Sequence, residues 1–178
     1  MPENNCDFRP VTPLMLPFPY PPIKVEKEDI ACANVLSINY CGAVSELTAI
    51  TQYINNQSCL SQKHCHAAQT ILGIAMAEMI HLQKLGELIC LLGGTLDYKS
   101  RWRDGSEKLW TPECLKLTEN PRDMLRFGIE SENAAIRQYE MHMRVIKDAN
   151  VNAVLARIIK DEEYHIMLFK ILLRECAD

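Results

Sequence analysis

The sequence has no CxxC pair, no block of five or more basic residues and no long uninterrupted apolar run. Without CxxC, a zinc knuckle, a thioredoxin-type redox motif and a rubredoxin-like iron centre are excluded. Without a basic block, and with a net charge of −4 and a pI near 5.8, nucleic acid and anionic membrane surfaces lose their electrostatic attraction. The longest apolar runs, such as LICLLGG from Leu88, fall short of the roughly 20 residues that a membrane helix needs. The opening MPENNCDFRP lacks the basic start and apolar core of a secretory signal, so a cytosolic setting is expected. In that setting the eight cysteines read mostly as small buried apolar residues rather than as a disulfide framework. The HCH at His64–His66 reads as an ordinary helix start, because adjacent residues on a helix point in different directions.

What is present divides into an arm and a bundle. Seven of the nine prolines fall before residue 28, and proline removes backbone donors and biases its predecessor toward extended geometry. Residues 1–26 are therefore expected as an extended arm. Leu14, Phe18 and Tyr20 make it too apolar for a free tail, so it should lie against a neighbouring surface such as that of a second subunit. Residues 27–178 are expected as one all-α domain. Helical periodicity runs from about Lys27 to Asn55, Ser61 to Leu92, Pro121 to Ala149 and Val151 to Arg174. Val44, Leu47, Ile50 and Ile54 form an apolar stripe on the first stretch. NNQS at Asn55 and GG at Gly93 read as stops, and Asn120 before Pro121 as a cap with proline in the first turn. Two short connections make two antiparallel hairpins, and the long link from Gly93 to about Asn120 is the crossover between them, its Trp102 and Trp110 covering apolar bundle surface.

The hairpin is used twice. ELTAITQY, Glu46 to Tyr53, returns as ENAAIRQY, Glu132 to Tyr139, with five of eight positions unchanged. AEMIHL follows the first copy and DEEYHI the second, so Glu78 and His81, then Glu162 and His165, stand three apart on one helix face. Glu46 to Glu132 spans 86 residues and His81 to His165 spans 84. Glu46 and Glu78 sit in apolar surroundings, where an ionised carboxylate costs several kcal/mol unless a cation compensates it. Lysines and arginines within the helices are too few and too displaced. Two divalent ions would balance four carboxylates, with two neutral imidazoles completing the coordination. A glutamate from each of two helices plus Glu-x-x-His from each of the other two is the pattern of dinuclear carboxylate sites in four-helix bundles. Oxygen and nitrogen donors suit iron or manganese.

These motifs resemble those of the ferritin-like superfamily, from about Ile30 to Leu173. ELTAITQY with AEMIHL, and SENAAIRQY with KDEEYHI, are similar to the four helix motifs of bacterioferritin and the rubrerythrins. YCGAVSELTAITQY from Tyr40 also resembles the first motif of manganese catalases. The resemblance implies a ferritin-like four-helix bundle with Glu46, Glu78, His81, Glu132, Glu162 and His165 as metal ligands. Glu78 and Glu162 would be the bridges, and Tyr53 and Tyr139 would donate hydrogen bonds to ligand carboxylates. The implied cofactor is two iron ions, or alternatively two manganese ions.

Departures narrow the expectation. Rubrerythrins usually carry a further glutamate at the position of Ala135, and a rubredoxin-like module is missing. No fifth helix follows Leu173, so a homodimer or small homo-oligomer is expected in place of a storage cage. Met79 stands where bacterioferritin ligates haem, but it reads as a packing residue. The leading expectation is an oxidoreductase in which a di-iron site reacts with O2 or hydrogen peroxide and draws on an external electron donor. The alternatives are a manganese catalase-like peroxide dismutase, against which Ser131 stands where a basic residue is usual, and a non-catalytic iron-binding or assembly protein.

Overall fold

The computed structural model describes residues 10–176; the first nine residues of the expected arm, Cys6 among them, lie outside the described residues. Five helices form the bundle: α1 Ile30–Cys41, α2 Glu46–Leu60, α3 Cys65–Leu91, α4 Pro121–Val145 and α5 Ala149–Glu175. α1 and α2 together occupy the place of one helix, which gives a ferritin-like four-helix arrangement. The connections of residues 61–64 and 146–148 are too short for anything but antiparallel hairpins, α2 with α3 and α4 with α5.

The helix ends follow local chemistry. Asn120 accepts from the Arg122 and Asp123 amides ahead of Pro121 in the first turn, as expected. Asp148 caps α5 through the Asn150 and Val151 amides. Gly93, at φ +83°, ends the α3 segment as the sequence indicated.

The first helical stretch differs from expectation. It breaks at Gly42–Ser45, and it runs on through NNQS to Leu60. A Cβ on Gly42 would stand 2.6 Å from the Ile38 carbonyl oxygen, so the chain turns there only without a side chain. Ser45 then restarts the helix by accepting from the Thr48 amide, and the Thr48 hydroxyl donates back to the Gly42 carbonyl. The α4 side chain Gln138 clamps the same break by donating to the Val44 carbonyl and to Asn39. The restart turns Glu46, Gln52, Tyr53 and Asn56 inward, so the apolar stripe of Val44, Leu47 and Ile50 is left half-buried and Ile54 exposed. By length and composition Ile30–Leu60 could cross a membrane. Here it is interrupted at the break and forms one wall of the bundle.

Other expectations are also revised. The crossover contains a two-stranded antiparallel hairpin, β1 Lys99–Arg101 with β2 Glu107–Leu109, followed by a 3-10 turn at Pro112–Cys114. Trp110 covers bundle surface and donates to Thr48, whereas Trp102 is 38% exposed. Cys32 and Cys41 are buried but Cys59 and Cys90 are exposed, so the cysteines are not uniformly core residues. Residues 10–29 carry no helix or strand and lie along α3 and α5 of their own chain: Leu14 N donates to the Gly73 carbonyl and Leu16 N to Asp161.

The core is two apolar clusters separated along the bundle axis. One gathers Leu36, Tyr40, Leu88, Val154 and Leu155, and the other Leu60, Ile71, Ile74, Met124 and Phe169. Between them lies a layer in which α3 and α5 turn polar residues inward.

Gly42→Ala should cost about 1–3 kcal/mol by overpacking and displace the start of α2, measured by urea unfolding. Asp148→Ala should cost about 1 kcal/mol as a lost cap. Burial acts to raise the Asp148 pKa, but the Glu26, Val151 and Asn150 amides that donate to its carboxylate outweigh it and lower the pKa. A lowered folded-state pKa gives stability that is complete above the ordinary carboxyl pKa and is lost as pH falls through the lowered one. Unfolding midpoints of Asp148→Asn should therefore fall less between pH 7 and pH 3 than those of the parent.

Candidate metal centre

The polar layer holds all six expected ligand residues. Glu46, Glu78, His81, Glu132, Glu162 and His165 are each at most 3% exposed. The three-residue spacing on α3 and α5 sets each glutamate beside its histidine: His81 Nδ1 lies 2.7 Å from Glu78 Oε2, and His165 Nδ1 lies 3.0 Å from Glu162 Oε2.

The two hairpins then exchange carboxylate oxygens. His81 Nδ1 is 3.3 Å from Glu162 Oε1 and 3.8 Å from Glu46 Oε2. His165 Nδ1 is 2.9 Å from Glu78 Oε1 and 3.9 Å from Glu132 Oε1. Glu78 and Glu162 each turn one oxygen toward each imidazole, while Glu46 and Glu132 each serve one side. Donor atoms of Glu46, Glu78, His81 and Glu162, and of Glu78, Glu132, Glu162 and His165, form two clusters whose members all lie within 4.8 Å of one another.

Groups behind the cluster fix its orientation. Tyr53 donates to Glu132 Oε1 at 2.5 Å, and Tyr139 donates to Glu46 Oε1, so each tyrosine reaches from its own repeat to the glutamate of the other. Burial first, and then the neighbouring carboxylates, raise both phenols well above their ordinary pKa, which keeps them as donors. Nε2 of His165 lies 2.9 Å from the Leu14 carbonyl, which can only accept. The Nε2 proton is thereby assigned, and Nδ1 faces the carboxylates. Nε2 of His81 faces Asp161 Oδ2 at 3.3 Å.

This arrangement is incomplete without a cation. One Nδ1 carries at most one proton, yet each faces three carboxylate oxygens, and Glu78 Oε1 and Glu162 Oε1 are buried with no hydrogen bond. Among the described residues no lysine or arginine pairs with the four glutamates, and Arg157 is engaged with Asp161 at 2.7 Å. Burial and then the charges of Glu78 and Glu162 raise the Glu46 pKa well above the carboxylate range. Glu132 is raised likewise, by burial and by Glu162 and Glu78. Burial opposes charge on His81, but Glu162 and Glu78 outweigh it and raise its pKa. Burial acts against charge on Glu78 as well, but His165 and His81 outweigh it and lower its pKa; two carboxyls pushed toward protonation, one held ionised and imidazoles pulled toward protonation are the mark of missing positive charge. The six donors therefore fit two hard or borderline divalent ions.

A cavity of about 130 Å³ between α2 and α4 reaches Glu46 and Glu132, and its walls include Ser131, Ala134 and Ala135. Ala135 keeps this approach open. The sequence did not reveal Asp161, Arg157, Tyr20 or the Leu14 carbonyl, although Asp161 directly precedes Glu162 in the motif. Their partners are far away in the chain: Tyr20 donates to Asp161 at 2.8 Å across 141 residues. Met79 is 44% exposed in the single chain and lines an outer apolar groove of about 790 Å³, outside the core of its own bundle. His66 pairs with Glu175 at the surface, away from the cluster.

Comparison with known proteins agrees with this picture. A manganese catalase from Anabaena, KatB, superposes with a TM-score of 0.77 at 22% identity, over 91% of this chain and 80% of that one. The bacterioferritin of Rhodobacter capsulatus, described with a metal-free dinuclear site and haem iron, gives a TM-score of 0.64 at 22% identity over 83% and 86%. That of Desulfovibrio desulfuricans, described with a di-iron site, gives 0.62 at 24% identity over 81% and 80%. At these identities the likeness establishes the fold. No curated protein sequence matches the chain. Residues 42–173 match the family described as Rubrerythrin, and they include all six clustered residues and both tyrosines. The chain belongs to the rubrerythrin family, within the ferritin-like superfamily.

Proposed function

We propose that this protein is a dinuclear carboxylate oxidoreductase, with two iron ions held by Glu46, Glu78, His81, Glu132, Glu162 and His165, that reacts with O2 or hydrogen peroxide. The observation that carries the reading is the double use of Glu78 and Glu162, each turned toward both imidazoles, as bridging carboxylates are. When bound, two adjacent irons supply two electrons to an O–O bond, and an external donor restores them. The protein's own residues do the rest. His81 and His165 hold their Nδ1 atoms in register, and Tyr53 and Tyr139 orient the carboxylates of Glu132 and Glu46 by donating to Oε1 of each. The two apolar clusters exclude bulk water along the bundle axis. A cavity of about 130 Å³ suits a small oxidant and is well below the roughly 300 Å³ at which pockets for larger organic ligands begin.

A second reading keeps the residues and fills the site with manganese, for peroxide dismutation. The superposition on the manganese catalase, which covers 91% of this chain, favours it. Either reading includes a homodimer or small homo-oligomer, for which the outer groove beside Met79 offers an apolar face.

Iron-loaded protein should oxidise within seconds on exposure to O2 or peroxide, followed by absorbance in stopped flow. Rapid oxygen release from peroxide by the manganese form alone, without added reductant, would instead establish the second reading. Glu78→Ala should abolish tight binding of the second ion, and two ions retained at full occupancy would contradict the bridging role. Tyr139→Phe should lower metal affinity or turnover by about 10- to 100-fold, as loss of a ligand-orienting partner does.

A further inference from the structure

The duplicated hairpins are alike in their ligands and unlike one turn before them. The 84-residue offset that relates Glu78 to Glu162 and His81 to His165 also relates Ala77 to Asp161 and Gly73 to Arg157. On α5, Arg157 and Asp161 form a buried pair at 2.7 Å, and Asp161 faces Nε2 of His81 across the bundle. On α3 the equivalent positions carry no side chain beyond a methyl group. His165 would therefore find no acceptor there, although its Nε2 must be held if Nδ1 is to face the carboxylates.

The N-terminal segment fills that gap. Leu14 donates its amide to the Gly73 carbonyl at 2.9 Å and turns its own carbonyl to His165 Nε2 at 2.9 Å. It fits because Gly73 has no Cβ: one placed there would stand 2.7 Å from Leu14 Cγ and 3.1 Å from the Thr12 carbonyl oxygen. Further along, Leu16 N and the Tyr20 hydroxyl donate to Asp161, and Arg157 donates to the Leu16 and Phe18 carbonyls while lying over the Tyr20 ring. The segment thus touches the supports of both imidazoles, but for His165 it is itself the support.

We propose that residues 12–16 are a working part of the metal centre, in which the Leu14 carbonyl positions His165 as Asp161 positions His81. The two halves of the site are consequently unequal. His81 is backed by a carboxylate and His165 by a neutral carbonyl on a docked strap, so loading of the His165 half and docking of the strap strengthen each other. This inference rests on the dinuclear reading above.

The test is anaerobic titration of the full chain with Co(II), with each half assigned by anomalous scattering from crystals. Gly73→Ala displaces the strap while alanine favours the α3 helix, and Leu14→Pro removes both the amide that anchors it and the Leu14 side chain that packs on the second apolar cluster, with every bundle residue unchanged. The parent should bind two ions. In both variants the His81 half should keep its affinity while the His165 half weakens by about 10- to 100-fold. Parent-like binding of both ions in the variants, or equal weakening of both halves, overturns the role of the strap and leaves the dinuclear reading intact. A parent chain that binds no Co(II) overturns the dinuclear reading, and this inference with it.

Discussion

Four carboxylates facing two imidazoles in a buried layer between two apolar clusters impose the requirement that the rest of the chain serves. An uncompensated charge in such a place costs several kcal/mol, and among the described residues no lysine or arginine lies against these four acidic groups. Protons can relieve part of the repulsion, as the raised pKa values of Glu46 and Glu132 indicate. They cannot satisfy oxygens that converge on shared points. Two divalent cations can, and the exchange of oxygens between Glu78 and Glu162 sets where each would sit.

Much of the apparent irregularity in the fold follows from building that layer. The break at Gly42–Ser45 turns Glu46 inward, at the cost of an outward apolar stripe on α2. Gln138, Trp110 and Thr48 hold the break, so the crossover and α4 both contribute to where one glutamate points. The tyrosines cross between repeats, which makes each half of the centre depend on the other hairpin. The N-terminal segment, with few regular hydrogen bonds of its own, spends its carbonyls and amides on Arg157, Asp161 and His165.

The clustering of these six residues was legible in the sequence because its logic is local: a three-residue spacing on a helix, repeated at a constant offset, needs no knowledge of tertiary structure. The fold was legible for the same reason, since four periodic stretches and one long link admit few arrangements. What escaped was set by contacts between distant residues. Asp161 meets His81 across 80 residues, and the dependence of His165 on Leu14 spans 151. The helix break was hidden because Gly-Ala-Val-Ser is compatible with a continuous helix, and only the clash of a Gly42 side chain with the Ile38 carbonyl reveals the turn. The apolar stripe of α2 misled for a related reason: its buried face was claimed by the polar residues of the centre.

The central claim is that the buried acids exist to hold metal, and metal content per chain tests it most directly. Protein purified anaerobically without chelator and measured by mass spectrometry should carry about two ions of iron or manganese per chain. No bound metal, even after anaerobic reconstitution with either ion, would contradict the account and leave the repeated glutamates as architecture alone.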